Sequence, residues 1–186
     1  MTQDSRFFRQ ISALVAQAIA DLDGLDLAEV SQPAASGAPL FATVQSHFER
    51  QGWQHQRLPG KTALRFTYQG QQGKWVCIVS TREQARQVVI YSLYPPLVPE
   101  ARRLAIAELL TRANYHLTLG NFDLDFESGQ VRLRTGLLLT PDTFRPALLQ
   151  QLLLHHLQTA DRHLGPYLAV LAGERSPQEA MAQLHP

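Results

Sequence analysis

Three carboxylates lie close together in one segment of this chain and are its strongest candidates for chemistry. Asp123, Asp125 and Glu127 alternate with apolar residues in the sequence GNFDLDFESGQVRLR. In an extended strand, residues two apart share one face. Carboxylates that share a face can act as an acid and a base, or bind a divalent cation. The residues opposite them decide whether they are free to do so.

Alternation of apolar and charged residues on both sides of a small polar pair is typical of an antiparallel hairpin. A two-residue turn at Ser128–Gly129 would place Asp125 opposite Arg132 and Asp123 opposite Arg134. Opposite charges across strands stabilise a sheet by about 0.2–1 kcal/mol each. We therefore interpret the carboxylates as a surface ion-pair ladder and predict that they bind no metal.

The remaining reactive side chains form no recognisable site. Among seven histidines, only His156 and His163 share a helix face, two turns apart, and no pair has metal-ligand spacing. Motifs of serine hydrolases, P-loops and dinucleotide-binding folds are absent from the sequence. Cys77 lies inside an apolar strand pattern, which favours an inert core thiol. We predict no catalytic residue, metal site or cofactor, although a lone serine or cysteine nucleophile stays open.

Length and charge limit the class of protein. A chain of 186 residues can form one well-buried domain without disulfides or metals. A formal net charge of +1 argues against a nucleic-acid binder. No apolar run reaches the roughly 20 residues of a membrane helix, and the first residues lack the pattern of a secretory signal. We therefore expect a cytoplasmic protein.

Apolar periodicity divides the chain into four parts. Residues 1–24 are expected to hold an amphipathic helix, and residues 25–39 are expected to form a linker rich in small residues and proline. Residues 40–164 are predicted to form an α+β domain, and residues 165–186 a C-terminal helical extension. Gly165–Pro166 is expected to kink or break the long helix that precedes the extension.

The strands are predicted to form a largely antiparallel five-stranded sheet with helices packed on it. The element order is α-α-β-β-β-α-β-β-α, which lacks the regular alternation of a parallel sheet. The register of the first hairpin follows from bringing its large apolar residues together. The expected pairs are Tyr68 with Trp75, Phe66 with Cys77, and Leu64 with Val79.

The middle of this sheet is apolar on both faces, so both faces need a cover. One face holds Trp75 and its neighbours. The other face, together with the stripe of the N-terminal helix, gives our predicted protein-binding residues: Phe7, Phe8, Ile11, Val76, Ile78, Val89, Tyr91 and Leu93. The N-terminal helix could dock there within one chain or from a second chain, or two sheets could meet across a two-fold axis. We favour a dimer that buries this helix or this face.

The segment LLTRANYHL at Leu109–Leu117, followed by GNFDLDFESGQVRLR, resembles the YbjN family. The residues that carry the resemblance, which extends over roughly Leu40–Leu164, are Asn114, Gly120, Phe122, Asp125 and Gly129. It implies the fold of type III secretion chaperones and a general protein-binding role. It implies no catalytic residues.

The sequence thus favours a non-catalytic protein-interaction module, chaperone-like or adaptor-like and regulatory, with a protein partner and a homodimeric state. Two alternatives stay open: a small enzyme, and a nucleic-acid-binding protein whose site the sequence does not reveal. A cleft of titratable groups with shifted pKa values would support the enzyme. A stripe lined by arginines would support the nucleic-acid binder.

Overall fold

The structure, a computed structural model, describes residues 39–139 and 145–184. The predicted N-terminal helix and nearly all of the linker lie outside these ranges. The helices are α1 (Leu40–Arg50), α2 (Arg103–His116, preceded by a 3-10 turn at Glu100–Arg102), α3 (Pro146–Ala172) and α4 (Pro177–Ala182). The strands are β1 (Gln56–Arg57), β2 (Ala63–Gln69), β3 (Lys74–Arg82), β4 (Gln87–Tyr94), β5 (Asn121–Leu124) and β6 (Val131–Leu138).

The strands form one antiparallel sheet in the order β1-β2-β3-β4-β6-β5. The predicted α+β class is therefore confirmed. The predicted strand count of five is wrong, because the two-residue strand β1 pairs with the start of β2. Gln56 and Arg57 are both polar and exposed, so two residues gave no alternation from which a strand could be recognised.

The first hairpin adopts the register that the apolar residues required. Tyr68 pairs with Trp75, Phe66 with Cys77, and Leu64 with Val79. This alignment places Trp75 and Cys77 on the same side of the sheet as Tyr68 and Phe66.

All four described helices bury their apolar residues in one core on the Trp75 side of the sheet. That core includes Val44 from α1, Ile106 from α2, Leu153 from α3 and Ala180 from α4. None of these side chains is more than 1% exposed. The described architecture is thus a layer of helices on one face of the sheet.

The long helix α3 does not break at Gly165–Pro166, where the sequence predicted a kink or a break. It continues through Gly165 and Pro166 to Ala172. Tyr167, just past the proline, is fully buried, and its hydroxyl donates a hydrogen bond of 2.6 Å to the Pro96 carbonyl. Packing on both sides of Pro166 thus holds a helix that proline alone would weaken. No helix of the described residues has the length and hydropathy needed to cross a membrane.

Candidate functional site

The second face of the sheet, meaning the side opposite Trp75, brings together the five predicted binding residues of the strands. Val76 lies directly opposite Leu93, and Ile78 lies opposite Tyr91, with Val89 next along β4. These five side chains form one cluster and are at most 4% exposed. Phe7, Phe8 and Ile11, the other predicted binding residues, lie outside the described ranges.

Arginines flank this apolar strip on both sides. Arg65 lies opposite Ile78 on β2, whereas Arg134 and Arg132 lie opposite Tyr91 and Leu93 on β6. Residues directly opposite each other in neighbouring strands point to the same side of the sheet. The second face therefore has an apolar centre and cationic edges.

One carboxylate partly neutralises the edge on β6. Asp123 Oδ2 lies 3.2 Å from Arg132 Nε and 3.5 Å from Arg134 Nε. The Arg132 guanidinium also lies over the ring of Tyr91, 5.4 Å from its centroid. Burial raises the pKa of Tyr91, and the neighbouring arginines partly offset that rise. Three arginines against one aspartate leave this face positive overall.

An exposed leucine extends the strip at the far end of β6. Leu138 pairs with Gln87, two residues from the Gly136–Val89 pair, so it points to the same side as Val89. Its side chain is 74% exposed. The second face thus continues from its buried strip to apolar surface that a partner can reach.

The register predicted for the second hairpin is wrong by two residues, although the predicted ion pair between Asp123 and Arg134 forms diagonally. Asp123 pairs with Arg132, and Asn121 pairs with Arg134. Asp125 takes no part in the ladder, because β5 ends at Leu124.

Asp125 instead builds the turn. Its carboxylate accepts hydrogen bonds from the Glu127 backbone N–H at 3.0 Å and from the Ser128 hydroxyl at 2.5 Å. The Ser128 bond is the main reason why the pKa of Asp125 falls below its usual value. A side-chain turn of this kind competes with strand pairing, which explains why the connection is longer than the two residues predicted.

The residues that carried the family resemblance hold this hairpin in place. The Asn114 side chain exchanges two hydrogen bonds with the backbone of Phe122, at 2.7 and 3.0 Å, and so ties α2 to the edge strand β5. Gly129 has φ of 76°, and a Cβ there would collide with the Val98 carbonyl. The motif is therefore architectural.

A buried serine–histidine pair is the feature that sequence reasoning missed. The Ser92 hydroxyl lies 2.8 Å from His156 Nε2 and accepts a hydrogen bond of 2.9 Å from Trp75 Nε1. On its other side, His156 Nδ1 lies 2.8 Å from the Thr135 hydroxyl. No sequence signal could have found this series of hydrogen bonds, because its members come from β3, β4, β6 and α3.

This pair has the residue types of a nucleophile and its base but not the environment. Ser92, Thr135 and His156 are at most 1% exposed. Burial lowers the pKa of His156 to about 3 and raises that of Cys77, beside Ser92, to about 12. Catalytic groups need access to substrate and pKa values near the working pH. These groups instead form a satisfied polar link between the sheet and α3.

The cavity at the second hairpin is small. It measures about 90 Å³ and is lined by Asp123, Leu124, Asp125, Gln130 and Arg132. Sites for small organic ligands typically measure about 300–1,000 Å³. Within residues 39–139 and 145–184, no three histidine, cysteine, aspartate or glutamate side chains converge in a way that could hold a metal ion.

A solved structure with low sequence identity has the same fold. A crystal structure of YbjN from E. coli, described as a putative transcription regulator, superposes with a TM-score of 0.58 at 10% identity, covering 73% of this chain and 95% of that one. The ExsC–ExsE complex gives a TM-score of 0.46 at 12% identity, with 67% and 90% covered. The HopA1–SchA chaperone–effector complex gives 0.45 at 13%, with 69% and 95% covered.

Comparison by sequence assigns the family. None of the curated proteins matches this chain. The family model of YbjN, described as "Putative bacterial sensory transduction regulator", matches residues 41–170, well over half of the chain. The resemblance seen in the residues around the second hairpin is thereby confirmed, and the chain belongs to the YbjN family.

Proposed function

We propose that this protein is a non-catalytic protein-interaction module, chaperone-like or adaptor-like, that binds a protein segment through the second face of the sheet. The observation that carries the proposal is the apolar strip of Val76, Ile78, Val89, Tyr91 and Leu93, to which no described helix contributes a buried residue. When it is exposed, a contiguous apolar face of this kind marks a binding surface in soluble proteins. The description of the family as regulators is compatible with such a role.

The chemistry of the face indicates the kind of segment that it binds. An amphipathic helix can lay its apolar side on the strip. Carboxylates at the edges of that helix would meet Arg65 on one side and Arg134 on the other. The partner is therefore expected to present an apolar stripe flanked by acidic residues. The homodimer and the cytoplasmic location inferred from the sequence remain predictions.

The two alternatives find less support. The serine–histidine pair is closed to solvent, so it offers an enzyme no substrate access. Nucleic-acid binders stack successive bases on several aromatic rings, whereas the strip holds one, Tyr91, and Arg132 already lies over it. Asp123 also places a negative charge among the arginines.

Site-specific photo-crosslinking tests the proposal in the full chain. The photoreactive residue p-benzoylphenylalanine is placed at Leu138, at the end of the second face, or at Tyr115, which is 86% exposed on α2. We expect a protein adduct from position 138 but not from position 115. The cross-linked segment should carry an apolar stripe with acidic flanks.

Binding of the identified partner then gives a quantitative check. Arg134→Glu should weaken the affinity by about tenfold, equivalent to 1.4 kcal/mol, whereas Arg112→Glu on α2 should leave it unchanged. Equal adducts at both positions, adducts that nuclease removes, or equal effects of the two arginine variants would contradict the proposal.

A further inference from the structure

The second face is buried although no described helix lies over it. Its five apolar side chains are between 0 and 4% exposed, yet the cluster that contains them otherwise holds only Leu58 and Ala63, both outside the helices. An antiparallel sheet with one face in water normally alternates apolar and polar residues. Ile78 and Tyr91, at the middle of the face, need a covering layer.

The sequence before α1 has the apolar periodicity of a helix that could form such a layer. We propose that residues 5–23 form an amphipathic helix that docks on the second face of the same molecule and blocks it until a partner displaces it. This inference rests on the proposed function, since it names what regulates the same site. The apolar residues that recur at helical spacing are Phe7, Phe8, Ile11, Leu14, Val15, Ala18, Ile19 and Leu22.

The negative charge of the N-terminal segment favours its docking on the second face. Residues 1–38 contain two arginines and five acidic residues, a formal charge of −3. Since the whole chain carries +1, the remainder carries +4. The acidic residues are Asp4, Asp21, Asp23, Asp26 and Glu29. Four of the five lie within the last residues of the apolar stripe or after it, where they can meet the arginines at the edges of the second face.

The point at which the linker joins the domain also favours docking of this segment on the second face. The backbone N–H groups of Leu40 and Phe41 donate hydrogen bonds of 2.8 and 2.7 Å to the carboxylate of Glu83. Glu83 lies in the turn between β3 and β4, the two strands that carry the apolar strip. The linker therefore leaves the domain at one end of that strip.

The lengths of the linker and of the helix decide between docking within one molecule and docking on a second copy. A flexible linker of residues 25–39 has an r.m.s. span of about 20 Å and a limit of about 50 Å. A helix of residues 5–23 is about 28 Å long, close to the length of β3. A tethered segment of this kind has an effective concentration in the millimolar range. At micromolar protein concentration, docking within the molecule therefore dominates over the helix-mediated dimer that the sequence alone favoured.

Two variants of the full chain test the inference. Ile11→Asp places a carboxylate in the apolar stripe, whereas Ala13→Asp places the same group about 200° around the helix. Hydroxyl-radical footprinting read by mass spectrometry reports the accessibility of Tyr91 and Leu93. Tyr94, fully buried on the Trp75 side, serves as the internal control for folding.

We expect a several-fold rise in oxidation of Tyr91 and Leu93 in Ile11→Asp, with Tyr94 unchanged and Ala13→Asp like the wild type. If Tyr94 rises as well, the milder Ile11→Ala is compared in the same way and decides the outcome. No difference between the two aspartate variants would overturn the inference. So would a wild-type dimer, seen by light scattering, that Ile11→Asp converts to a monomer, because the helix would then dock on the partner copy.

The same variant separates this inference from the proposed function. If both hold, Ile11→Asp increases the yield of the cross-link from position 138. If the face binds a partner but residues 5–23 do not block it, the yield is the same in both proteins. If the segment covers the face but no partner exists, oxidation of Tyr91 rises and no adduct forms.

Discussion

The two faces of the sheet differ in whether they bury polar groups. The face under the helices buries a series of hydrogen bonds from Trp75 through Ser92 and His156 to Thr135. The strip on the second face consists of apolar side chains and Tyr91, and its charged groups lie at its edges. A fully paired polar network fixes one arrangement of its elements. An apolar strip accepts any cover of suitable shape, so the first face specifies the fold and the second suits exchange of partners.

Two isoleucines allow a direct comparison of the faces. Ile90 and Ile78 are both 0% exposed, on neighbouring central strands, but Ile90 lies in the helix-covered core and Ile78 on the second face. Truncation of a buried isoleucine to alanine typically costs about 2–5 kcal/mol, and less where the surroundings can collapse. We expect about 4 kcal/mol for Ile90→Ala and about 2 kcal/mol or less for Ile78→Ala by urea unfolding. Equal losses of unfolding free energy in the two variants would show that the layers covering the two faces are equally rigid.

The pH dependence of stability probes the polar network of the first face. Unfolded His156, with a pKa of about 6.5, takes up a proton that the folded residue, with a pKa of about 3, does not. The unfolded state is therefore favoured as the pH falls from about 6.5 toward 3. The free energy of unfolding should drop by about 2 kcal/mol between about pH 7.5 and about pH 5 from this residue.

Substitution of single histidines assigns the effect. His156→Asn should flatten the dependence on pH, whereas His116→Asn at the end of α2 should retain it. If His156→Asn keeps the full slope, the histidine is not buried in its neutral form and the contrast between the faces weakens.

The smallest effect concerns the arginine edge of the second face. A double-mutant cycle between Asp123→Ala and Arg132→Ala should give a coupling of about 0.5 kcal/mol in the free energy of unfolding. The cycle between Asp125→Ala and Arg132→Ala should give less than about 0.3 kcal/mol. The reverse order would restore the register that the sequence predicted and move Asp123 away from its observed partner.

The outcome for the two hairpins shows what sequence can predict. In β2, large apolar residues alternate strictly with smaller or polar ones. A register shift of one residue would move them away from the side of β3 that carries Trp75, so the pattern alone gave the right pairing. In β5 and β6, alternation continues through Asp125, but the hydrogen bonds that Asp125 makes with Glu127 and Ser128 end the strand first. Competition between a local turn and strand pairing is not visible in periodicity.

The candidate site was predictable only in part. Apolar residues on both faces of β3 and β4 indicated the second face, including Tyr91 and Leu93. The arginine edge on β6 required the pairing of β4 with β6, which are far apart in the chain. By periodicity alone Leu104 would belong to the apolar stripe of α2, yet it is 80% exposed, because a stripe does not reveal which of its members lies beyond the edge of the core.

Binding of an isolated helix to the second face tests the central claim most directly. A synthetic peptide of residues 1–24 is titrated into full-length Ile11→Asp, whose own segment competes poorly, and methyl NMR shifts are followed. We predict saturable shifts at Val76, Ile78, Val89 and Leu93, and none with a peptide that carries Ile11→Asp. Shifts at Leu104 and Leu168 instead, or none at all, would contradict the assignment of the second face as the binding surface.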